Sequence, residues 1–142
     1  MSDLDLWVPG VPRTKGSLRI VNKGRAVLSE SVAGSKRWRQ LVAYSVRGQM
    51  GSDWPVAGPV GVGLSFYLPV DPYATRAGDL DKLVRNVLDA LSGCTPGCAE
   101  ECKDHAGFYR DDVQVGHVIT VKDGPADNPG VHIRTWTLRE PR

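Results

Sequence analysis

With 142 residues, 41% of them hydrophobic and 24% charged, and a formal net charge of +2, the chain can bury a core of its own and is excluded from the disordered and disulfide-dependent classes. No apolar run approaches the length of a membrane span, and the acidic opening Met1-Ser2-Asp3-Leu4-Asp5 does not read as a secretory signal, so a cytoplasmic, single-domain protein (1–142) without a membrane partner is expected. The near-neutral total conceals an asymmetry: residues 13–39 carry Arg13, Lys15, Arg19, Lys23, Arg25, Lys36, Arg37 and Arg39 against one acid, Glu30, which leaves the rest of the chain net negative.

Leu4, Leu6 and Val8 alternate with Asp5 and Trp7 and predict a short first strand that Pro9-Gly10 ends. Residues 11–17 read as an exposed basic loop, and Leu18–Val21 and Ala26–Leu28 as a hairpin around Asn22-Lys23-Gly24-Arg25. Trp38, Leu41, Val42, Ser45, Val46 and Gln49 trace a helical face with Ser35 as candidate N-cap. Lys36, Arg37, Arg39 and Arg47 are expected off its buried stripe, facing a phosphate backbone.

Val60, Val62, Leu64, Phe66 and Leu68 alternate with Gly61, Gly63, Ser65 and Tyr67 between Pro59 and Pro69, the clearest strand of the chain. A loop containing Arg76, a phosphate contact or merely a solvated turn residue, leads into the most regular helix. There Leu80, Leu83, Val84, Val87, Leu88 and Leu91 recur on one face. After it come a Cys-containing segment at about 92–106, a strand from Val113 to Val121, a turn, and a last strand from Val131 to Leu138. No repeat is visible. Strands and helices are mixed as in an α+β domain, with a mixed sheet of four to six strands and two helices.

Two acidic blocks carry the chemistry. Asp79 and Asp81 stand at the start of the regular helix, where a carboxylate can cap free N–H groups and meets the positive end of the helix dipole. Asp111-Asp112 follow Phe108-Tyr109 and open a strand. The alternative to capping is a shared Mg²⁺ site, since this hard cation takes oxygen ligands. A basic surface beside a carboxylate cluster suits a metal-dependent nuclease, in which cations hold the polyanion and carboxylates hold the metal. The plain alternative is a solvated basic face.

Gly78-Asp79-Leu80-Asp81-Lys82-Leu83 through Leu88-Asp89-Ala90-Leu91, followed by Gly107-Phe108-Tyr109-Arg110-Asp111-Asp112-Val113-Gln114-Val115, resembles the RusA family of Holliday junction resolvases. Pro9-Gly10-Val11-Pro12-Arg13-Thr14-Lys15-Gly16-Ser17 is similar to that family's basic loop after the first strand. The resemblance implies a RusA-like fold in a bacterial cell or phage-infected host. It also implies a Mg²⁺-dependent crossover junction endodeoxyribonuclease, Mn²⁺ being an alternative ion, that leaves 5′-phosphate and 3′-hydroxyl ends in DNA recombination and repair. By the same resemblance Asp79, Asp81 and Asp112 are the metal-binding carboxylates and Asp111 an accessory acid. Arg85 stands where the family often has Lys, and Lys82 where it often has Asn. Arg85 is therefore a candidate to hold a phosphate or steady the transition state, or else part of a surface ion-pair ladder with Asp81 and Asp89 at i, i+4 and i+8. Candidate DNA contacts are Arg13, Lys15, Arg19, Lys36, Arg37, Arg39, Arg76 and Lys82. The expected partner is branched DNA, four-way junctions above all. A two-fold substrate that needs paired cuts matches a C2 homodimer.

The Cys-containing segment departs from the family pattern. Its Cys94, Cys98, Cys102 and His105 fit a closed structural Zn²⁺ site, the alternative being reduced thiols beside a histidine. His117 and His132 have strand phasing and read as sheet residues. Two rival functions stay open: a non-catalytic, structure-selective DNA-binding protein of the same fold, and a zinc-centred interaction module.

Overall fold

The computed structural model describes residues 3–15, 18–22, 25–30, 34–49, 54–93 and 103–138, with the main chain alone for 18–22 and 25–30. The elements run β1 (Asp5–Pro9), β2 (Leu18–Asn22), β3 (Arg25–Glu30), α1 (Ser35–Arg47), β4 (Val60–Tyr67), α2 (Leu80–Leu91), β5 (Val115–Asp123) and β6 (Gly130–Thr137). Short 3₁₀ turns at Thr75–Ala77 and Asp112–Gln114 precede α2 and β5. The fold is α+β, as expected, with a mixed sheet of order β1-β6-β4-β5, two helices, and β2-β3 as a separate two-stranded hairpin.

β4 pairs antiparallel with β6 and parallel with β5. A parallel neighbour cannot be reached by a tight turn, so the chain between β4 and β5 must travel the length of the sheet, and α2 makes that crossing. Leu6, Val8, Val62, Leu64, Phe66, Val131 and Ile133 form the core face of the sheet and join Trp38, Val42 and Val46 of α1 and Leu83, Val87 and Leu91 of α2 in one buried cluster. Each such side chain contributes about 1.5–3 kcal/mol relative to exposure.

Two of the alternate residues of β4, Gly61 and Gly63, are glycines where the other face carries the Trp136 indole. A Cβ at Gly61 would lie 2.1 Å from Cε2 of Trp136. At Gly130 it would lie 2.5 Å from both Cζ2 of Trp7 and the Val8 carbonyl oxygen.

Three boundaries differ from expectation. Gly34, in a left-handed conformation (φ 79), occupies the N-cap of α1, and Ser35 is a buried residue inside the helix. Its hydroxyl accepts from Asn86 Nδ2 at 3.2 Å, which turns it toward α2 and away from the free N–H groups of its own helix. Asp111 and Asp112 open a 3₁₀ turn instead of a strand, and β5 runs on to Asp123 because its partner β4 continues to Tyr67.

Gly130→Ala should lower stability by about 1–3 kcal/mol, because its methyl group must displace Trp7 or the β1 backbone. A lower urea midpoint at unchanged slope would register this.

Candidate active site

Gly78 adopts φ 85, which lets the chain turn from the 3₁₀ segment into α2, and Thr14 Cγ2 occupies the space where a Cβ would sit, 2.5 Å away. Asp79 follows as the extended N-cap residue. Its carboxylate makes no capping hydrogen bond; it is 72% exposed and lies 3.8 Å from Lys82 Nζ. Asp81 and Arg85 are exposed along the same helix. The capping role is therefore not what occupies Asp79, and its carboxylate stays available to solvent.

The second acidic block sits at the other end of α2. Asp111 caps its 3₁₀ turn, accepting from the Val113 N–H at 3.1 Å, while the Gln114 side chain returns to the Asp111 N–H at 3.2 Å. That reciprocal box commits Asp111 to the backbone. The Val113 N–H, and then Asp112, hold Asp111 below the usual carboxylate range. Burial pushes Asp112 up, and so do Asp111 and Asp89, against the opposing charge of Lys15. The Tyr109 hydroxyl donates to the Leu88 carbonyl at 2.7 Å. Burial raises its pKa, with Asp112, Asp89 and Asp111 adding to the effect, so these acids surround one buried ring.

Asp89 belongs to this site, beyond the helix-end motif and the ion-pair ladder in which its sequence places it. That ladder does not form: Asp89 pairs with Lys15, and no ion pair among the described residues joins Arg85 to either acid. Lys15 is held by its main chain as well, its N–H donating to the Lys82 carbonyl at 3.1 Å. A basic residue that meets a helical Asp in space, yet lies 74 residues away in sequence, left no local signal.

The single shared site expected for Asp79, Asp81 and Asp112 is not assembled within one chain. At 1.5 Å per residue, Asp89 lies about 15 Å along the helix from Asp79 and about 12 Å from Asp81. The acids that act on Asp112 are Asp111 and Asp89. Among the described residues no three His, Cys, Asp or Glu side chains converge as a metal requires. The donors themselves suit a hard divalent cation: all are carboxylate oxygens, and Asp112 is crowded by like charge that a cation would relieve.

A family model described as endodeoxyribonuclease RusA matches residues 9–135. The chain belongs to the RusA family. No curated protein matches the sequence. Both acidic blocks and the loop bearing Lys15 fall inside the matched span of this RusA-family endodeoxyribonuclease.

The basic residues of the RusA-family chain divide by burial. Lys36 and Arg37 are exposed on α1, and Arg13 and Arg76 are exposed near the start of α2. Arg19 falls on β2, where side chains lie outside the described set. Arg39 corrects the expectation: it is 7% exposed, with Nη1 donating to Asn86 Oδ1 at 2.8 Å and Nε to Asp104 at 3.1 Å. It lies on the buried side of α1 and ties that helix to α2. Arg47 is likewise turned inward, donating to the His105 carbonyl at 2.6 Å. Asn86, fully buried, also donates to the carbonyls of Arg13 at 3.0 Å and Ser35 at 3.2 Å. His117 packs edge-on against Trp136 and His132 pairs with Asp5 at 2.6 Å, both on the sheet. Cys94, Cys98 and Cys102 lie outside the described residues.

Asp104 links this network to pH. Burial alone would raise its pKa, but the Arg39 hydrogen bond and the charges of His105 and Arg39 outweigh it and hold the carboxyl below its ordinary value. A carboxyl more acidic folded than unfolded stabilises above its unfolded pKa, about 3.9, and that contribution is lost as pH falls through the folded value. Asp104→Asn should thus melt lower than wild type at neutral pH, with the difference closing below about pH 4.

Proposed function

We propose that this RusA-family endodeoxyribonuclease is a Mg²⁺-dependent resolvase of four-way DNA junctions in recombination and repair, acting as a C2 homodimer. The observation that carries the reading is the pair of carboxylate groups at the two ends of α2, with exposed Arg13 and Arg76 beside the first of them. Asp79, Asp81 and Asp112 would hold Mg²⁺ or Mn²⁺, which when bound activates water and neutralises charge on the scissile phosphate. Asp111, engaged with its own turn, shapes the block and is an accessory acid. Lys15 balances Asp89 beside Asp112. Arg85, exposed between the two groups, is placed to receive a phosphate, and Lys36, Arg37 and Lys82 to hold the flanking backbone.

The division of the acids along α2 supports the dimer. A two-fold partner can present its Asp111-Asp112 turn to the Asp79-Asp81 end, giving two equal sites for a substrate with the same symmetry.

Asp79→Asn, Asp81→Asn and Asp112→Asn should each abolish Mg²⁺-dependent cleavage of a synthetic mobile junction while leaving junction binding intact or tighter. Mixing Asp81→Asn with Asp112→Asn should restore nicking, because a mixed dimer then holds one complete site. Failure of the mixture would place each site within one chain, and binding by wild type without cleavage in Mg²⁺ would leave a non-catalytic junction binder.

For the Cys-containing loop we propose a structural Zn²⁺ held by Cys94, Cys98, Cys102 and His105. Support comes from the His105 ring: Nδ1 meets the Asp89 carbonyl at 2.7 Å, an acceptor, so Nδ1 donates there and Nε2 is the nitrogen left for a metal. Such a bond orients metal-bound histidines. Protein purified without chelators should contain about one zinc per chain by elemental analysis, since a closed four-ligand site fills once. Zinc-free protein would exclude the site and leave the nuclease reading standing.

A further inference from the structure

Beside the Asp79 group, residues 11–14, 68–70 and 76–78 enclose a cleft of about 340 Å³. That lies at the lower end of the range for small-ligand sites, roughly 300–1,000 Å³. Its floor is apolar, with Leu68 and Ala77 buried and Val70 packed against the core. Each wall contributes one arginine, Arg13 from the loop and Arg76 from the 3₁₀ turn. Both are exposed, and among the described residues neither side chain has a hydrogen-bond or ion-pair partner.

The walls are fixed before any ligand arrives. Asn86 holds the Arg13 carbonyl at 3.0 Å, and the Lys15 N–H is bonded to Lys82. The opposite wall is closed by the Ala77 N–H on the Ala74 carbonyl at 2.9 Å and the Gly78 N–H on the Thr75 carbonyl at 3.2 Å. Gly78, part of the lining, leads directly into Asp79.

An apolar slot flanked by two exposed guanidinium groups complements a nucleotide, the base against the floor and the phosphate between the arginines. Continuity with Asp79 makes the occupant a nucleotide of the strand that reaches the carboxylates. A base inside a continuous duplex is held in its stack, whereas one at a strand crossover has lost part of it and leaves at lower cost. We propose that this cleft takes one unstacked nucleotide at the branch point and so selects branched over linear DNA, an inference that rests on the nuclease reading.

The test scans 2-aminopurine, which brightens when unstacked, through the branch point of a synthetic four-way junction in Ca²⁺, with wild type, Arg76→Ala and Val11→Trp. Val11 is exposed and lines the cleft, so the indole fills it without entering the core. With wild type, one position next to the cut should brighten on binding. Arg76→Ala should reduce that signal and weaken junction affinity about tenfold, the loss expected for one charged hydrogen bond. Val11→Trp should remove the signal while keeping wild-type affinity for linear duplex. A junction that wild type cuts in Mg²⁺ but that shows no bright position, or a signal unchanged in Val11→Trp, would overturn the cleft assignment alone. A wild type that neither binds nor cuts the junction would overturn the nuclease reading, and this inference with it.

Discussion

The Asn86 carboxamide is the tie on which the arrangement of the site depends. It is the one polar side chain among the buried residues of α2, and it reaches three other segments: the Arg13 loop, the start of α1 through Ser35, and the middle of α1 through Arg39. Leaving a buried donor or acceptor unpaired costs about 1–3 kcal/mol, so this network strongly disfavours any packing of α1 on α2 that breaks it. An apolar residue at 86 could fill the same space without specifying how the loop crosses the helix. With Asn86 in place, the loop is drawn across α2, its backbone bonds to Lys82, and Lys15 arrives at Asp89.

The parallel pairing of β4 and β5 imposes the second constraint. Because the chain must cross from one end of the sheet to the other, whatever precedes α2 and whatever follows it are separated by the helix length. Asp79 and Asp81 belong to the first end, and Asp89, Asp111 and Asp112 to the second. The same topology explains the raised pKa of Asp112, whose burial is compounded by two neighbouring acids. It also gives the proposed C2 dimer a chemical purpose beyond matching the symmetry of a junction.

Burial reassigns part of the basic charge. Arg39 and Arg47 look like their exposed neighbours Lys36 and Arg37 in sequence, yet Arg39 pairs with Asp104 and Arg47 holds the His105 carbonyl. Their side chains hold Asp104 and the His105 carbonyl, just ahead of the second acidic block. Among the described residues, the exposed basic charge of this RusA-family protein is accordingly narrower than the lysines and arginines of its sequence suggest.

Periodicity and turn residues were sufficient for the existence of the strands and both helices and for the α+β class, because each element carries its apolar residues at the spacing its geometry demands, though not for the start of α1 or the ends of β5. The two acidic blocks were equally legible, since Asp-x-Asp at a helix start and Asp-Asp beyond it are local patterns that coincide with the RusA family's motifs. Tertiary structure decided what local pattern cannot encode: Lys15 meets Asp89 across 74 residues and Asn86 meets Arg13 across 73. An Asn on an apolar helix face, or an Arg next to a Trp, has no sequence signature that separates a solvated group from a buried tie. Which it becomes is set by the segment packed against it, and that segment is chosen by the sheet topology.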